Sequence, residues 1–324
     1  MAQSKRRASG QVSGDEIVVE AAWLYYHDAL NQTEIAERLQ VSRATVVNYL
    51  QEAREKGYIR ITLSPSVFTG HQLSHVLREK FGLSAAFIVP NGNGDALSRL
   101  KRVARGAAEW LPDLVKSGDR LGVAWGQTIY ELAEALVASP IPDVSVVQLV
   151  GSMATPYGFT AEICSAHLAQ ALGARCINLH APAILTRSDL AAQLRQEPII
   201  ANQIEALKRC NKAVFAAGSC SPESHVVISG IASLQDLEIY ESRGACGVLC
   251  GRFVDAHGKP VSGPLDDRMI GVELERLIGL DMGLLVSTGV EKVKAMLAVL
   301  RGGYATHLVT DADTAALIIA ASDR

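Results

Sequence analysis

Beyond residue 84, short apolar runs alternate with longer segments whose apolar residues recur at helical spacing. Apolar strands separated by amphipathic helices are typical of a parallel sheet with helices on both faces. We therefore predict a doubly wound α/β domain over residues 84–324. The predicted strands are residues 85–89, 120–124, 144–149, 176–179, 213–216, 247–254, 284–286 and 307–309. The predicted helices include residues 97–115, 129–136, 161–172 and 290–300.

Three amphipathic helices are predicted in the first sixty residues. The first covers residues 16–28. Asn31 and Glu34 have the spacing of a capping box, so a second helix is expected to begin after Asn31. Ser42 is the predicted N-cap of the third helix, and Gly57 ends that helix as glycine often does.

Residues 32–46 resemble a helix-turn-helix, in which a tight turn joins two short helices. Ala36 is small where the helices cross, and Val41 is expected to reach the core at the turn. The predicted inner face of the third helix is Val46, Val47, Leu50 and Ala53. In this motif, residues at the start of the second motif helix meet base edges and others contact phosphates. The candidate DNA contacts are Thr33, Ser42, Arg43, Thr45, Asn48, Tyr49 and Arg54.

The alternative for this segment is an ordinary three-helix bundle with solvated charges. Residues 1–65 carry eight basic and eight acidic side chains, so net charge does not separate the two interpretations. The small-residue and turn pattern favours DNA binding. Residues 58–63 alternate polar and apolar side chains and predict a wing strand, which completes a winged domain over residues 16–64.

The remaining segments set the organisation of the chain. Residues 1–15 are polar, which predicts a disordered tail rather than a secretory signal. Residues 65–83 are predicted as a linker or association helix, because Leu73, Val76, Leu77 and Phe81 form an apolar stripe. No apolar run reaches the roughly 18 residues that span a bilayer, so no membrane partner is expected. The six cysteines form no CxxC pair, so we expect buried thiols in a reducing cytoplasm, and neither a metal nor a cofactor.

Four predicted strand ends carry glycine or hydroxyl-bearing residues, and ligands of doubly wound sheets bind at such ends. They are residues 122–128, Gly151 with Ser152, Gly218 with Ser219, and residues 287–289 followed by Lys292. Each glycine alone is weak evidence, because strand-to-helix turns use glycine for geometry. Backbone amides, hydroxyls and a lysine together suit a phosphate monoester. The sequence therefore predicts an anion-binding cleft.

At these residues the chain resembles the SorC family of sugar-responsive transcriptional regulators. The resemblance extends from about residue 22 to residue 321 and is most specific in residues 121–128, 244–255 and 300–311. It implies a domain similar to sugar-phosphate isomerases and deaminases, a dimer or tetramer, and a repressor-type control of palindromic operator DNA by a phosphorylated sugar or polyol. The effector-binding positions it implies are Trp125, Gly126, Gln127, Thr128, Gly151, Ser152, Gly218 and Lys292.

Three positions depart from the family pattern. Val248 stands where the family usually has an aspartate that faces the hydroxyls of the effector. Ser152 replaces the second glycine of a common pair. Val150 occupies a position where some members have a lysine able to form a Schiff base. These departures predict no covalent capture of an aldehyde, and a ligand that is more apolar or lacks a hydroxyl.

The second hypothesis is an isomerase- or deaminase-like enzyme fused to a DNA-binding domain. Isomerisation of a sugar phosphate needs a positioned carboxylate or histidine as base. The available candidates are His167, His180, Glu162 and Asp255. They form no dense acid–base cluster in the sequence, so a regulator rather than an enzyme is expected. Arg187 and Arg252 could bind phosphate or pair with carboxylates.

Overall fold

The computed structural model describes residues 14–59, 61, 64–154 and 158–322. The chain divides into two compact units, Met1–Leu63 and Ser64–Arg324. The predicted tail lies outside the described residues except for its last two, Gly14 and Asp15, which begin the first helix.

The smaller unit is built from helices with the predicted caps. Its helices are α1 Gly14–Tyr26, α2 Gln32–Leu39 and α3 Arg43–Glu55. The Asn31 side chain accepts hydrogen bonds from the amides of Thr33 and Glu34, and the Asn31 amide donates to Glu34, which confirms the capping box. Ser42 accepts from the amide of Thr45 and caps α3.

The three helices enclose a small apolar core. Its buried members are Val18, Ala21, Ala22, Leu24, Ile35, Ala36, Val46, Leu50 and Ala53. Val47 was predicted on the inner face of α3, and that prediction is wrong, because its side chain is 41% exposed. Val46, Leu50 and Ala53 recur on one helical face, and Val47 lies to the side of it. Val47 is therefore part of the solvent-facing surface of α3.

The predicted wing strand stays a prediction. Among the residues that the structure describes, Tyr58, Ile59 and Ile61 belong to no strand. Arg60, Thr62 and Leu63 lie outside the described residues.

The larger unit is organised around a seven-stranded sheet in which every pairing is parallel. Its strands are β1 Ala85–Val89, β2 Arg120–Val123, β3 Ser145–Gln148, β4 Arg175–Ile177, β5 Lys212–Phe215, β9 Met282–Val286 and β10 His307–Asp311. Their spatial order is β1-β10-β9-β5-β2-β3-β4. The chain runs from β2 outward through β3 and β4, then returns to the other side of β2 with β5. This reversal is the topological switch of a doubly wound sheet.

Helices cover both faces of this sheet and bury two apolar clusters, one with Ile88 and Phe215 and the other with Phe87 and Leu121. The α-helices are α4 Pro65–Thr69, α5 Gln72–Phe81, α6 Ala96–Leu114, α7 Gln127–Ala135, α8 Ala161–Ala171, α9 Ser188–Leu194, α10 Pro198–Lys208, α11 His225–Ile228, α12 Leu234–Ser242, α13 Val293–Arg301 and α14 Ala312–Ser322. Short 3-10 turns cover Asp266–Arg268, Leu274–Leu277 and Val290–Lys292. In the part of the chain that is described, no helix combines the length and apolarity needed to cross a membrane.

A second, three-stranded antiparallel sheet interrupts the α/β alternation. Its strands are β6 Ala217–Ser219, β7 Ala245–Leu249 and β8 Arg252–Asp255. The sequence predicted one strand over residues 247–254, and this was wrong, because the chain reverses at Cys250 and Gly251. Their φ angles of 50° and 81° are both positive, as a tight two-residue hairpin turn requires.

The segment predicted as a linker or association helix is part of the larger unit. Leu77 of α5 is fully buried in that unit's core, and Leu73 and Phe81 pack against the same cluster. The Ser74 hydroxyl donates to the carbonyl of Ala86 on β1 at 2.7 Å. The apolar stripe therefore packs in part onto the edge strand of the sheet, and its role in self-association stays a prediction.

Candidate functional sites

A cavity of about 900 Å³ opens at the carboxyl ends of β2, β5 and β9. Because β2 and β5 flank the topological switch, their following loops diverge and leave a crevice between them. The segment from β6 to α11 and the strand β7 contribute the remaining lining residues, together with the start of α6.

The loop after β2 leads directly into α7 and lines the cavity through Trp125, Gly126, Gln127 and Thr128. Gly126 has a φ of 120°, a conformation that L side chains rarely adopt, and a Cβ placed there would stand 3.7 Å from Nδ1 of His225. Glycine thus allows the backbone to turn into the helix. The first amides of α7 have no intrahelical acceptors, so they can donate to an anion in the cavity.

The loop after β9 is held by a buried network. The hydroxyl of Thr288 donates to the Asp311 carboxylate, and the hydroxyl of Thr314 donates to the same carboxylate at 2.6 Å. The Gly289 amide donates to the Thr314 hydroxyl at 3.0 Å. Asp311 and Thr314 are almost completely buried, so this loop, from which Lys292 follows, is fixed by the scaffold.

Lys292 brings a cation into the cavity wall. Its side chain is half-buried, and burial lowers the pKa of its ammonium group, while Glu291 acts in the opposite direction. Burial also lowers the pKa of His225, and the charge of Lys292 adds to this effect. The histidine is therefore neutral at pH 7, and the cationic side chains of the described lining are Arg99, Lys292 and Lys294.

The structure brings six of the predicted effector residues together. Trp125, Gly126, Gln127, Thr128, Gly218 and Lys292 all line the cavity. Gly151 and Ser152 do not. A Cβ on Gly151 would lie 2.6 Å from the carbonyl oxygen of Ala181, and Ser152 forms a bridge with Pro182. These two residues pack the chain after β3 against a neighbouring segment.

Several lining residues were not predicted. Arg99 from α6, His225 from α11, and Ser221 and Ser224 from the chain that follows β6 are among them. Within the described ranges, the Ser224 hydroxyl is buried without a hydrogen-bond partner. No periodicity points to these residues, because they come from helices and turns that reach the cavity only through packing.

The residues proposed for acid–base chemistry lie elsewhere. His167, His180, Glu162 and Asp255 are absent from the described lining of the cavity. His167 instead pairs with Glu134 at 2.5 Å. The two arginines also form ion pairs, Arg187 with Asp189 and the buried Arg252 with Asp266 and Glu273. Among the residues described, no group of three potential ligands could hold a metal ion.

The smaller unit presents the start of α3 to solvent. Ser42, Arg43 and Asn48 are exposed, and Thr45 is half-buried. Nε of Arg43 donates to Oε1 of Gln32 at 3.2 Å, which connects the start of α3 to the start of α2. Gln32 therefore orients Arg43, a role that the motif alone did not indicate.

The other predicted DNA contacts differ in setting. Thr33 is exposed in the first turn of α2, whereas Tyr49 is half-buried and packs against the core. The hydroxyls of Ser42 and Thr45 lie 2.8 Å apart and bond each other. Nε of Arg54 donates to the carbonyl of Leu50 at 3.3 Å, at the far end of α3.

Known protein families match both units. A sugar-binding domain family, Sugar-bind, matches residues 66–320, and a MarR family domain matches residues 21–67. The transcriptional regulator YjhU of Escherichia coli K12 is 35% identical over 319 residues, which are 97% of each chain. The deoxyribonucleoside regulator of Bacillus subtilis is 32% identical over 305 residues, 94% of this chain and 97% of that protein.

Solved structures show the same fold. The full-length sorbitol operon regulator SorC of Klebsiella pneumoniae superposes with a TM-score of 0.77 at 23% identity, covering 95% of this chain and 99% of that one. These relatives and neighbours are transcriptional regulators, so they give no support to the enzyme alternative. The chain therefore belongs to the SorC family of transcriptional regulators, with an N-terminal helix-turn-helix and a C-terminal sugar-binding domain.

Proposed function

We propose that this regulator binds operator DNA through α3 and that a phosphorylated sugar or polyol in the cavity controls this binding. The observation that carries the proposal is Lys292, a half-buried ammonium group in the cavity wall whose pKa is lowered by burial. A buried cation is unfavourable unless it is paired. An anionic ligand would add a second negative charge to that of Glu291, whose effect does not outweigh burial.

The groups around Lys292 favour a phosphate rather than a carboxylate. The amides at the start of α7 and the Thr128 hydroxyl line the same cavity. A phosphate accepts several hydrogen bonds at once, which suits the amides, the hydroxyls and the ammonium group of Lys292. The relative from Bacillus subtilis, which is named for deoxyribonucleosides, is consistent with a carbohydrate attached to that phosphate.

Operator binding is proposed to use two copies of the chain. One helix-turn-helix covers little DNA, so paired units on half-sites about one helical turn apart are expected. The proposal therefore includes a homodimer or homotetramer that acts on palindromic DNA in the cytoplasm, as a repressor released by its effector. Thr33 and Arg54 are assigned to phosphates, and Ser42, Arg43, Thr45 and Asn48 to the groove-facing surface of α3, whereas Tyr49 packs against the core and supports that helix.

The effector half of the proposal is tested by ligand-induced stabilisation. Sugar and polyol phosphates and their dephosphorylated forms are screened by thermal shift with the full chain. A ligand at a hundred times its Kd should stabilise the protein by about 2.7 kcal/mol, and only phosphorylated compounds should do so. Equal shifts with dephosphorylated forms, or no shift with any of these compounds, would refute the assignment of a phosphorylated effector.

The proposal that α3 binds operator DNA predicts that Arg43→Ala weakens this binding. If Arg43 reads a guanine, the variant should lose about 1–3 kcal/mol of specific binding while its affinity for unrelated DNA changes little. The measurement is a titration of operator and random duplexes at fixed salt concentration. Arg43→Lys serves as the matched variant, because lysine keeps the charge but loses the bidentate geometry. Unchanged affinity of Arg43→Ala for both duplexes would exclude α3 as the recognition helix.

A further inference from the structure

One wall of the cavity comes from the antiparallel sheet. Gly218 of β6 pairs with Val248 of β7, and a Cβ on Gly218 would lie 3.3 Å from the Cβ of Val248. The two residues therefore stand on the same side of the sheet. Both line the cavity, so this side faces the ligand space.

Alternate residues of β7 and its turn continue this wall. Cys246, Val248 and Cys250 all line the cavity. For Cys246 and Val248 this is expected, because side chains two positions apart on a strand share a face, and Cys250 lies in the turn that follows. Cys220, just beyond β6, extends the wall, and it is close enough to Cys246 for the two thiols to interact electrostatically. We call these four residues the valine–thiol wall.

The valine–thiol wall offers weak hydrogen-bonding groups only. Burial raises the pKa of Cys220 and of Cys250 to about 12, and burial also raises the pKa of Cys246. The thiols therefore stay protonated at pH 7. A neutral buried thiol behaves as a small hydrophobic group with a weak donor. A ligand hydroxyl directed at this wall would lose its hydrogen bonds to water without replacement.

The cavity is larger than a phosphate group requires. Pockets that enclose drug-sized ligands have volumes of about 300–1,000 Å³, and this one, at about 900 Å³, lies near the upper end. The effector therefore has space for a substantial carbon skeleton in addition to the group that Lys292 binds.

We propose that the effector is a sugar or polyol phosphate that carries an apolar face or substituent, such as a deoxy position or an alkyl or aryl group, and that Val248 selects it. The inference rests on the proposed function, because it assumes that the phosphate lies at Lys292. Val248 is 6% exposed and stands between Cys246 and Cys250 along the chain. It is therefore the central contact of the valine–thiol wall.

The test compares matched ligand pairs by isothermal titration calorimetry with the full chain. The probes are ribose 5-phosphate against 2-deoxyribose 5-phosphate, and glucose 6-phosphate against methyl and phenyl β-glucoside 6-phosphate. In at least one pair the more apolar member should bind about tenfold tighter or better, the discrimination that an apolar pocket achieves for one small group. Val248→Thr preserves the side-chain shape and adds a hydroxyl, so it should reduce that preference at least about threefold.

Two further variants make the outcome decisive. Val248→Ala removes two methyl groups from the wall and should weaken the preference, so it serves if Val248→Thr does not fold. Val137→Thr adds the same hydroxyl at a site that is 39% exposed and outside the described lining of the cavity, and it should leave the preference unchanged. If sugar phosphates bind but no pair shows a preference, or if Val248→Thr preserves it, the inference is overturned and the proposed function stands. If no phosphorylated probe binds, the proposed function fails first.

Discussion

Replacing Lys212 by methionine is expected to lower the free energy of unfolding by about 3–5 kcal/mol, the cost of removing one partner from a buried ion pair. Nζ of Lys212 lies 2.7 Å from Oδ2 of Asp119, and the two side chains are only 9% and 10% exposed. The ammonium group also donates to the carbonyl of Leu114. Methionine retains much of the side-chain volume, so the loss reports the unpaired carboxylate rather than a large cavity.

The protonation state of Asp119 determines the pH at which the stability of Lys212→Met should be measured. Burial alone would raise its pKa, but hydrogen bonds from Asn211 and Lys212 outweigh burial and lower the pKa. A carboxyl whose pKa is lowered by folding stabilises the folded state above its unfolded pKa of about 4, and this contribution is lost as the pH falls through the folded pKa. Urea unfolding at pH 7 therefore measures the full effect.

Lys208→Met is the matched control for Lys212→Met. Lys208 pairs with Glu205 at 3.6 Å on the surface, where both side chains are about half exposed. A surface pair of this kind contributes about 0–1 kcal/mol. Similar losses in the two variants would contradict a special role of the buried pair.

Replacing Lys292 by methionine is expected to weaken binding of a phosphorylated effector by about 1.5–3 kcal/mol, the contribution of a charge-assisted hydrogen bond. This loss corresponds to roughly 10- to 150-fold in Kd. In the absence of effector the variant should be at least as stable as the original protein, because burial opposes the ammonium charge. A residue with a merely structural role would show the opposite effect on stability.

Calorimetric titration with one phosphorylated ligand and its dephosphorylated form measures this difference. Lys101→Met is the control, since Lys101 is 55% exposed and pairs with Glu131 at 3.8 Å, outside the described cavity lining. Affinity for operator DNA without effector should be the same in both variants. If Lys292→Met loses equal affinity for the two ligand forms, the lysine does not bind the phosphate.

Hydrophobic periodicity is sufficient to locate the seven-stranded sheet, because strands buried on both faces are apolar throughout. Each of its strands coincides with a predicted one. The smaller sheet could not be derived in this way. β6 is only three residues long, and the turn between β7 and β8 uses a cysteine at positive φ, a residue type that does not signal a hairpin as Asn-Gly does.

The candidate site could be predicted where the residues of a single loop indicate ligand binding by themselves. Gly126 and Lys292 both follow strand ends. Gly126 has a φ that other residues rarely adopt, and Lys292 is a cation near the start of a helix, where anions are favoured. Gly151 has the same local pattern, but its glycine serves a close backbone contact with Ala181. His225 could not be predicted, because only the packing of α11 over the start of α7 brings it to the cavity. Local patterns indicate which loops turn tightly, and tertiary packing decides which of them face the ligand.

The two sides of the cavity belong to different structural layers. Asp311 and Thr314 fix the loop before Lys292 within the parallel sheet, whereas Val248 stands on the separate antiparallel sheet. Under the proposed function, the loop that carries Lys292 would hold the phosphate, and the antiparallel sheet would contact the rest of the effector. We therefore expect a substitution at Val248 to change the preferred carbon skeleton, while the hydrogen bonds that Asp311 accepts from Thr288 and Thr314 remain.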